Sequence, residues 1–593
     1  MLDVDRDAPA ALPATARSHV KAWFAWSVAS AAALAVVHYW LADPGQGPRI
    51  FADEIGYLAN ARFLAGGSKI DMSNTAFYSG GFSLILTPLN WVLLNHPARL
   101  YQAIILGQAM LAGVSMLLMA QLCRWILGIS KGWSLVVAFA AGLYPAFVAN
   151  TGFTWAESML TFALLVVVTS SIWVLRGLDQ PSPRHRSVAL RAAAAGVACG
   201  VLPTLHNRTF LAALAALVIV SWALVRVRSY VPAGILLATA AVTAGAGELM
   251  NLHLKNALWV GRGGVDAGEK ITTLLHPHGL WAGGLTLSGQ AWYQLVGSAG
   301  LVAVALVGLV LIALGRSETR DATSVGGATP ANASRAGAAI VVTVFVSLLV
   351  VSAAYLATGK RADHIVYGRY VDIATPLLIA LAIAWLATSP SVRALAGAAL
   401  AVVASLGGTF LILTLAGKTE LARPFNRVTT LAIIGWLDYR RTSPALFRAS
   451  AWSIGIGLAA IAITYVSRAY SVRSSAAVSV ICLGVAVVFF WQLSFLNPKV
   501  LKPLAFGATQ TRAVVAVVNE THAKTLRLEP SITVVDRLAL EYWLPKVRFT
   551  VATPAADRCS PGLEITRVPV PGPGAAPVGA VGPFSIFEQH CPR

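Results

Sequence analysis

The chain has 593 residues, 57% of them hydrophobic and only 12% charged, a composition that excludes a soluble globular protein and describes an integral membrane protein. Its 45 Lys and Arg against 25 Asp and Glu give a formal charge of +20. In so apolar a chain that excess belongs to short cytosolic loops and headgroup contacts. With no basic stripe interleaved with aromatics, a nucleic-acid partner is excluded.

Apolar runs of spanning length recur without strand-like alternation, so the fold class expected is an α-helical polytopic membrane protein rather than a barrel. Residues 1–21 form a tail whose Arg17 and Lys21 place it in the cytosol. The first apolar run, 22–41, ends without a small-residue cleavage site and reads as a retained helix. A loop over 42–100 follows on the outer side. It carries FADEIGYL at 51–58 and FSLILTPLNWVLL at 82–94, the latter too short and Pro-interrupted for a span, so it is expected to lie in the interface or to re-enter.

Twelve more spans are predicted near 101–122, 133–149, 158–175, 188–204, 209–225, 231–248, 293–315, 337–357, 371–388, 394–416, 451–466 and 476–495. That makes about 13 transmembrane helices, with the Arg-rich joints all inside. The transmembrane domain is thus 22–496. An odd count puts 497–593 outside, as a small α/β domain. There TRAVVAVVNETHAKTL reads as an amphipathic helix, SITVVD and VRFTVAT as strands, and VPVPGPGAAPVGAVGPF as a loop. Cys559 and Cys591 in this tail form a disulfide or remain two free thiols. Cys123, Cys199 and Cys482 lie in or beside apolar helices and read as packing residues.

With this topology the ionisable residues at helix ends gather on the outer side. Asp53 and Glu54 follow the first helix, Glu157 opens the span in TGFTWAESML, and Arg208 stands in LHNRTF. Glu248 closes another outer helix end, and Lys360, Arg361, His364, Arg369 and Asp372 lie in KRADHIVYGRYVD. No span carries a charge at its centre, which speaks against a midplane translocation path and for a polar cavity at the outer leaflet. Taken singly, each of these residues also fits a solvated helix cap or a headgroup contact.

In order, FADEIGYLANARFLAGG, FYSGGFSLILTPL, WAESML, LPTLHNRTF and YGRYVDIATPLL resemble the GT-C superfamily of polyprenyl-phosphate-sugar-dependent glycosyltransferases. That group includes protein O-mannosyltransferases, the lipid A aminoarabinose transferase and the arabinosyltransferases. The resemblance covers the membrane region, and many members carry a soluble domain after the last helix. It implies that Asp53, the first acidic position after helix 1, serves the acceptor hydroxyl as base, and that Glu157 matches a second acidic site shaping the acceptor pocket or binding metal.

The chemistry asks for the same parts: a base for the acceptor proton and positive charge for the departing phosphate. A phosphate leaves readily, so one carboxylate suffices, unlike the pair of a glycosidase. Adjacent helical residues point about 100° apart, so Asp53 faces the acceptor and Glu54 a basic residue or a metal. Arg208 and Arg369 are expected at the donor phosphate, with Lys360 and His278 as further cations there, and Tyr57 and Tyr370 along the sugar.

His276 and His278, in LLHPHGLW, are either phosphate or metal contacts or ordinary loop residues, since i,i+2 across a Pro is not a recognised zinc spacing. GRGGVDAGEK, 261–270, lacks the strand and helix of a nucleotide loop, and a lipid-linked donor needs no nucleotide. A divalent cation, Mg, Mn or Ca, is left open as cofactor.

The function expected is an inverting glycosyltransferase of the bacterial plasma membrane. It would move a sugar from a polyprenyl-phosphate donor to a hydroxyl of an envelope glycan, lipid or protein on the outer face. High Ala, Val, Gly and Arg content suggests a high-GC bacterium, where mannosyl and arabinosyl donors are common. The alternatives are a transporter or flippase of a lipid-linked sugar and a relative that has lost catalysis.

Overall fold

The computed structural model describes residues 14–43, 47–49, 51–180, 185–259, 276–316, 331–437, 445–471, 474–529, 531–551, 562–567 and 575–589. The Cys559 and Cys591 pairing and the GRGGVDAGEK segment lie outside the described residues.

The helices in chain order are α1 (Ala14–Ala42), α2 (Phe51–Leu64), α3 (Gly80–Leu93), α4 (Pro97–Leu127), α5 (Lys131–Gly142), α6 (Pro145–Thr151), α7 (Glu157–Leu178), α8 (His185–Leu205), α9 (Phe210–Arg226) and α10 (Tyr230–Leu258). There follow α11 (Pro277–Gly297), α12 (Leu301–Ala313), α13 (Ala331–Leu356), α14 (Thr375–Ala387), α15 (Val392–Leu415), α16 (Leu446–Ala469) and α17 (Ser474–Ser494). Among the described residues, 10 helices are long and apolar enough to cross a membrane, or up to 12 if each of two bent pairs counts as one.

The expected 13 spans therefore need correction at three places. The run at 133–149 is α5 and α6 meeting at 70°, because Pro145 cannot continue the preceding ladder. The run at 293–315 is broken where α11 meets α12 at 101°, across Ala299 and Gly300, both at positive φ. The run at 371–388 is α14, only 13 residues long, or roughly 20 Å against the roughly 30 Å of a bilayer core. Its residues from Thr375 to Leu386 are all buried, which makes it a core helix, apolar on every side because protein surrounds it. Helix α3 has 14 residues and is likewise too short to span. It buries Phe82, Ser83, Leu86 and Asn90 while exposing Leu84, Ile85, Trp91 and Val92.

Glycines bring α8 against α10. A Cβ on Gly196 would lie 2.3 Å from the Leu236 carbonyl oxygen, and one on Gly200 2.6 Å from that of Ala240. This small-xxx-small approach fixes the end of α8 that leads to Arg208.

Both breaks converge on one carboxylate. Tyr144, at the α5–α6 joint, donates to Asp372 Oδ1 at 2.7 Å, Tyr293 of α11 donates to Oδ2 at 2.9 Å, and Gln294 donates to Oδ1 at 3.2 Å. Asp372 is buried and lies between Arg369 and α14, so the turn carrying Arg369 is tied to both bent helices. Gly368 seals the joint, for a Cβ there would stand 1.9 Å from the Tyr293 ring.

After α17 come α18 (Lys502–Glu520), β1 (Thr525–Leu528), α19 (Val534–Trp543), β2 (Arg548–Val551), β3 (Gly562–Thr566), β4 (Ala575–Val581) and β5 (Phe584–Gln589). The sheet order is β2-β1-β3-β5-β4, with β1 parallel to β2 and β3, and β5 antiparallel to β3 and β4. Leu526 and Leu528 are buried in alternation along β1, whereas β3, central in the sheet, is buried on both faces from Leu563 to Thr566.

The expected strand SITVVD is instead the start of α19. Thr533 caps that helix by accepting from the Asp536 N–H at 3.2 Å, an N-cap that wins over β-propensity. The Pro/Gly-rich tract contains β4 rather than being loop throughout.

This domain grips α2. Arg62 donates to the Glu541 and Tyr542 carbonyls at 2.8 and 2.7 Å, closing the C-terminus of α19. Arg537 binds Asp71 at 3.1 Å, and the Tyr542 hydroxyl donates to the Pro97 carbonyl at 2.9 Å.

Candidate active site

Helix α2 begins at Phe51 and places Asp53 and Glu54 in its first turn, where the helix dipole favours carboxylates. The two diverge as adjacent helical residues must. Glu54 is fully buried and accepts from the Arg49 N–H at 2.6 Å, the Thr154 N–H at 2.7 Å and the Tyr101 hydroxyl at 3.1 Å. It thereby ties the chain before α2 and the chain before α7 to one carboxylate, and it does not line the cavity into which Asp53 looks.

That cavity, about 700 Å³, is walled by Asp53, Tyr57, Phe77, Tyr78, His206, Tyr355, Arg361, His364, Tyr367, Arg369, Tyr370 and the polar Asn426 and Thr429. Asp53 accepts from the Tyr78 hydroxyl at 2.8 Å through Oδ1 and from Arg369 Nη1 through Oδ2. Arg369 Nε donates to Glu157 Oε1 at 2.6 Å, and its guanidinium carbon lies 3.8 Å from the Trp155 ring centroid. The same Glu157 oxygen accepts from Arg208 Nη2 at 3.0 Å, and Arg208 stacks 4.1 Å from the Tyr370 ring centroid. Two carboxylates and two guanidinium groups thus form a chain Asp53–Arg369–Glu157–Arg208 from positions 316 residues apart at the extreme.

Burial alone would raise the Asp53 pKa, but the Arg369 charge, its hydrogen bond and the Tyr78 hydroxyl outweigh burial and hold it below the usual carboxylate value. The same environment keeps the Tyr78 phenol protonated, its pKa raised by burial and by Asp53. Burial, together with the Arg208 and Arg369 charges, lowers His206 well below the ordinary imidazole value, so its ring is neutral at pH 7.

Of the residues expected here, Asp53, Tyr57, Arg369 and Tyr370 line the cavity, and Glu157 and Arg208 stand directly behind it. Lys360 is exposed and His278 lies exposed at the start of α11, and neither is among the lining residues. The basic residue that KRADH turns into the cavity is Arg361, which binds Asp363 at 2.9 Å. Asp363 also accepts from the Asn426 N–H and the Thr429 hydroxyl, both at 3.0 Å, so it fixes the 420s loop against the Arg369 turn. Sequence reading did not assign to the site Tyr78, His206, Tyr355, Tyr367, Asn426 and Thr429, nor Arg361 and His364, which it placed only among the outer-side charges. The Gly-flanked FYSGG around Tyr78 was the available signal, while nothing in KRADH separates Arg361 from Lys360.

Among the described residues no group of three or more His, Cys, Asp or Glu comes together. The Glu157 oxygen facing the cluster and Asp53 Oδ2 already hold guanidinium groups.

No family model and no curated protein matches the chain by sequence. Among solved structures, ArnT from Cupriavidus metallidurans bound to undecaprenyl phosphate superposes over 95% of this chain and 98% of its own, with TM-score 0.52 at 13% identity. Its apo form does so over the same shares with TM-score 0.50 at 12% identity.

The chain has a GT-C-like fold.

The archaeal oligosaccharyltransferase AglB from Archaeoglobus fulgidus aligns loosely over 73% of this chain and 56% of its own, TM-score 0.32 at 10% identity, too loosely to build on. At such identity the likeness to ArnT is one of fold, over 95% of the chain.

Proposed function

We propose that this protein is an inverting glycosyltransferase that moves a sugar from a polyprenyl-phosphate donor to a hydroxyl of a cell-envelope acceptor, at the outer face of a bacterial plasma membrane. The observation that carries the reading is a partly exposed carboxylate, Asp53, facing an aromatic-walled cavity beside Arg369. This is the pairing of base and phosphate-binding cation that the transfer needs. The undecaprenyl phosphate bound by ArnT, which shares the fold, supports a polyprenyl-phosphate donor.

In the step proposed, the acceptor oxygen bonds to the anomeric carbon from the face opposite the phosphate, and its proton passes to Asp53. The anomeric C–O bond to phosphate breaks, and the released polyprenyl phosphate keeps the electron pair. Its charge is met by Arg369, backed by Glu157 and Arg208, with Arg361 at the wall. Tyr57, Tyr367 and Tyr370 supply stacking faces for the sugar, and Asn426 and Thr429 supply hydrogen-bonding groups. Specificity for arabinosyl, mannosyl or another donor would reside in that wall.

The transporter alternative gains one point from the two broken helices, a feature of many transporters. Their joints, however, close on Asp372 through Tyr144 and Tyr293, and none of these three residues lines the cavity. The transferase reading is tested with membranes containing the wild type or Asp53→Asn, supplied with labelled polyprenyl-phosphate sugars. The variant should express normally and lose about 10²–10⁴-fold in transfer, the usual contribution of a general base. Wild-type turnover in Asp53→Asn would remove Asp53 from the chemistry.

A further inference from the structure

The resting site poses a problem for its own base. Asp53 is ion-paired to Arg369, and a carboxylate so held is a poor proton acceptor. The two carboxylates on Arg369 are not held alike. Glu157 is fully buried and binds Arg208 as well, whereas the Asp53 side chain is 31% exposed to the cavity. Charge in the chain is balanced, Asp53 and Glu157 against Arg369 and Arg208. An entering phosphodiester therefore adds an anion to a neutral cluster and must draw on a cation already in use. Arg369 and Arg361 both line the cavity, Arg361 paired with Asp363 at 2.9 Å, while Arg208 stands behind it, bound by Glu157 and stacked on Tyr370.

Resting on the function proposed above, we propose that the donor's phosphate takes Arg369 away from Asp53, so that Asp53 becomes a competent base only once the donor is bound. Glu157 and the Trp155 face hold Arg369 in place through its Nε and its plane, so that only Nη1 changes partner. Asp53 keeps the Tyr78 hydroxyl on Oδ1, which fixes its orientation while Oδ2 is freed toward the acceptor hydroxyl. After transfer, Asp53 carries the acceptor's proton and Arg369 carries the leaving phosphate. When polyprenyl phosphate departs, Arg369 returns to Asp53 and the proton passes to water, restoring the resting pair. Arg369 is thus a positioning residue for Asp53 as well as a phosphate ligand, and base strength is coupled to donor occupancy.

The test is equilibrium binding of undecaprenyl phosphate, which lacks a sugar and cannot react, to the full-length protein in nanodiscs. If Asp53 and phosphate compete for Arg369, Asp53→Asn should tighten binding by about fivefold, the scale of a partly exposed ion pair released. In an Arg369→Gln background the same substitution should change binding by less than about twofold, which separates competition for Arg369 from simple repulsion between Asp53 and phosphate. If Arg369→Gln does not fold, Arg369→Lys serves, since a lysine cannot bridge Glu157 and Asp53 together. An unchanged affinity in Asp53→Asn, or an equal gain in both backgrounds, overturns the exchange and leaves the transferase reading standing. Absence of saturable binding to the wild type would instead sink that reading.

Discussion

Glu157→Gln is the substitution whose consequence the structure constrains most tightly. Glu157 is fully buried, and its Oε1 serves two guanidinium groups whose side chains are only 9% and 5% exposed. Glutamine keeps the shape and one acceptor but removes the negative charge, leaving two buried cations with only Asp53 to balance them. Removing one partner of a buried pair costs about 3–5 kcal/mol. The amide oxygen that glutamine retains still accepts from the guanidinium groups, so the cost falls at the lower end, about 3 kcal/mol. The apparent melting temperature in detergent should fall by several degrees. Transfer should fall about 10²-fold, because Arg369 loses the anchor that sets its plane and a misplacement of that order is costly. A variant that melts and turns over like the wild type would refute the claim that Glu157 holds the cluster together.

Gly56→Ala in α2 should be more damaging than its size suggests: the new Cβ would meet the Tyr78 ring at 2.0 Å, displacing the phenol from Asp53, and transfer should fall well before expression does. Arg62→Ala should loosen the C-terminal domain by about 3–5 kcal/mol through two lost charge-assisted bonds, read as faster limited proteolysis of the tail. Burial and the nearby Asp71 push Glu541 from its ordinary 4.5 up to about 7 against the pull of Arg537 and Arg62. The folded state therefore holds a proton there that the unfolded chain has released, and stability falls as pH rises from about 4.5 to about 7. Glu541→Gln should flatten that fall and melt higher at pH 8, by on the order of 3 kcal/mol; equal pH profiles would show that Glu541 is not protonated in the folded protein.

The helical membrane fold was legible because apolar runs of spanning length depend on composition alone. The broken helices were not, since a bend at Ala299 and Gly300 is written in backbone dihedrals that hydropathy averages away. Core helix α14 read as a span for the same reason, as a helix buried in protein and one buried in lipid look alike in sequence. The divergence of Asp53 from Glu54 followed from helical geometry, but the partners of Glu54 are the Arg49 and Thr154 N–H groups and a tyrosine from α4, which local pattern does not encode. Choosing Lys360 over Arg361 was a choice between neighbours in an irregular turn, where no periodicity assigns a face. In the tail, Thr533 with Asp536 three residues on signals a helix start and the β-branched residues around it signal a strand, and the cap decides between them.

The central claim is that sugar leaves the lipid phosphate here and does not merely ride through on it. The direct measurement uses purified protein in sealed proteoliposomes, given a polyprenyl-phosphate sugar labelled in the sugar together with a hydroxyl acceptor. The account predicts label on the acceptor, inverted at the anomeric carbon, with one polyprenyl phosphate released per transfer, and both reduced about 10²–10⁴-fold with Asp53→Asn. Label that stays on its lipid and appears in the opposite leaflet, equally in both proteins, would contradict it.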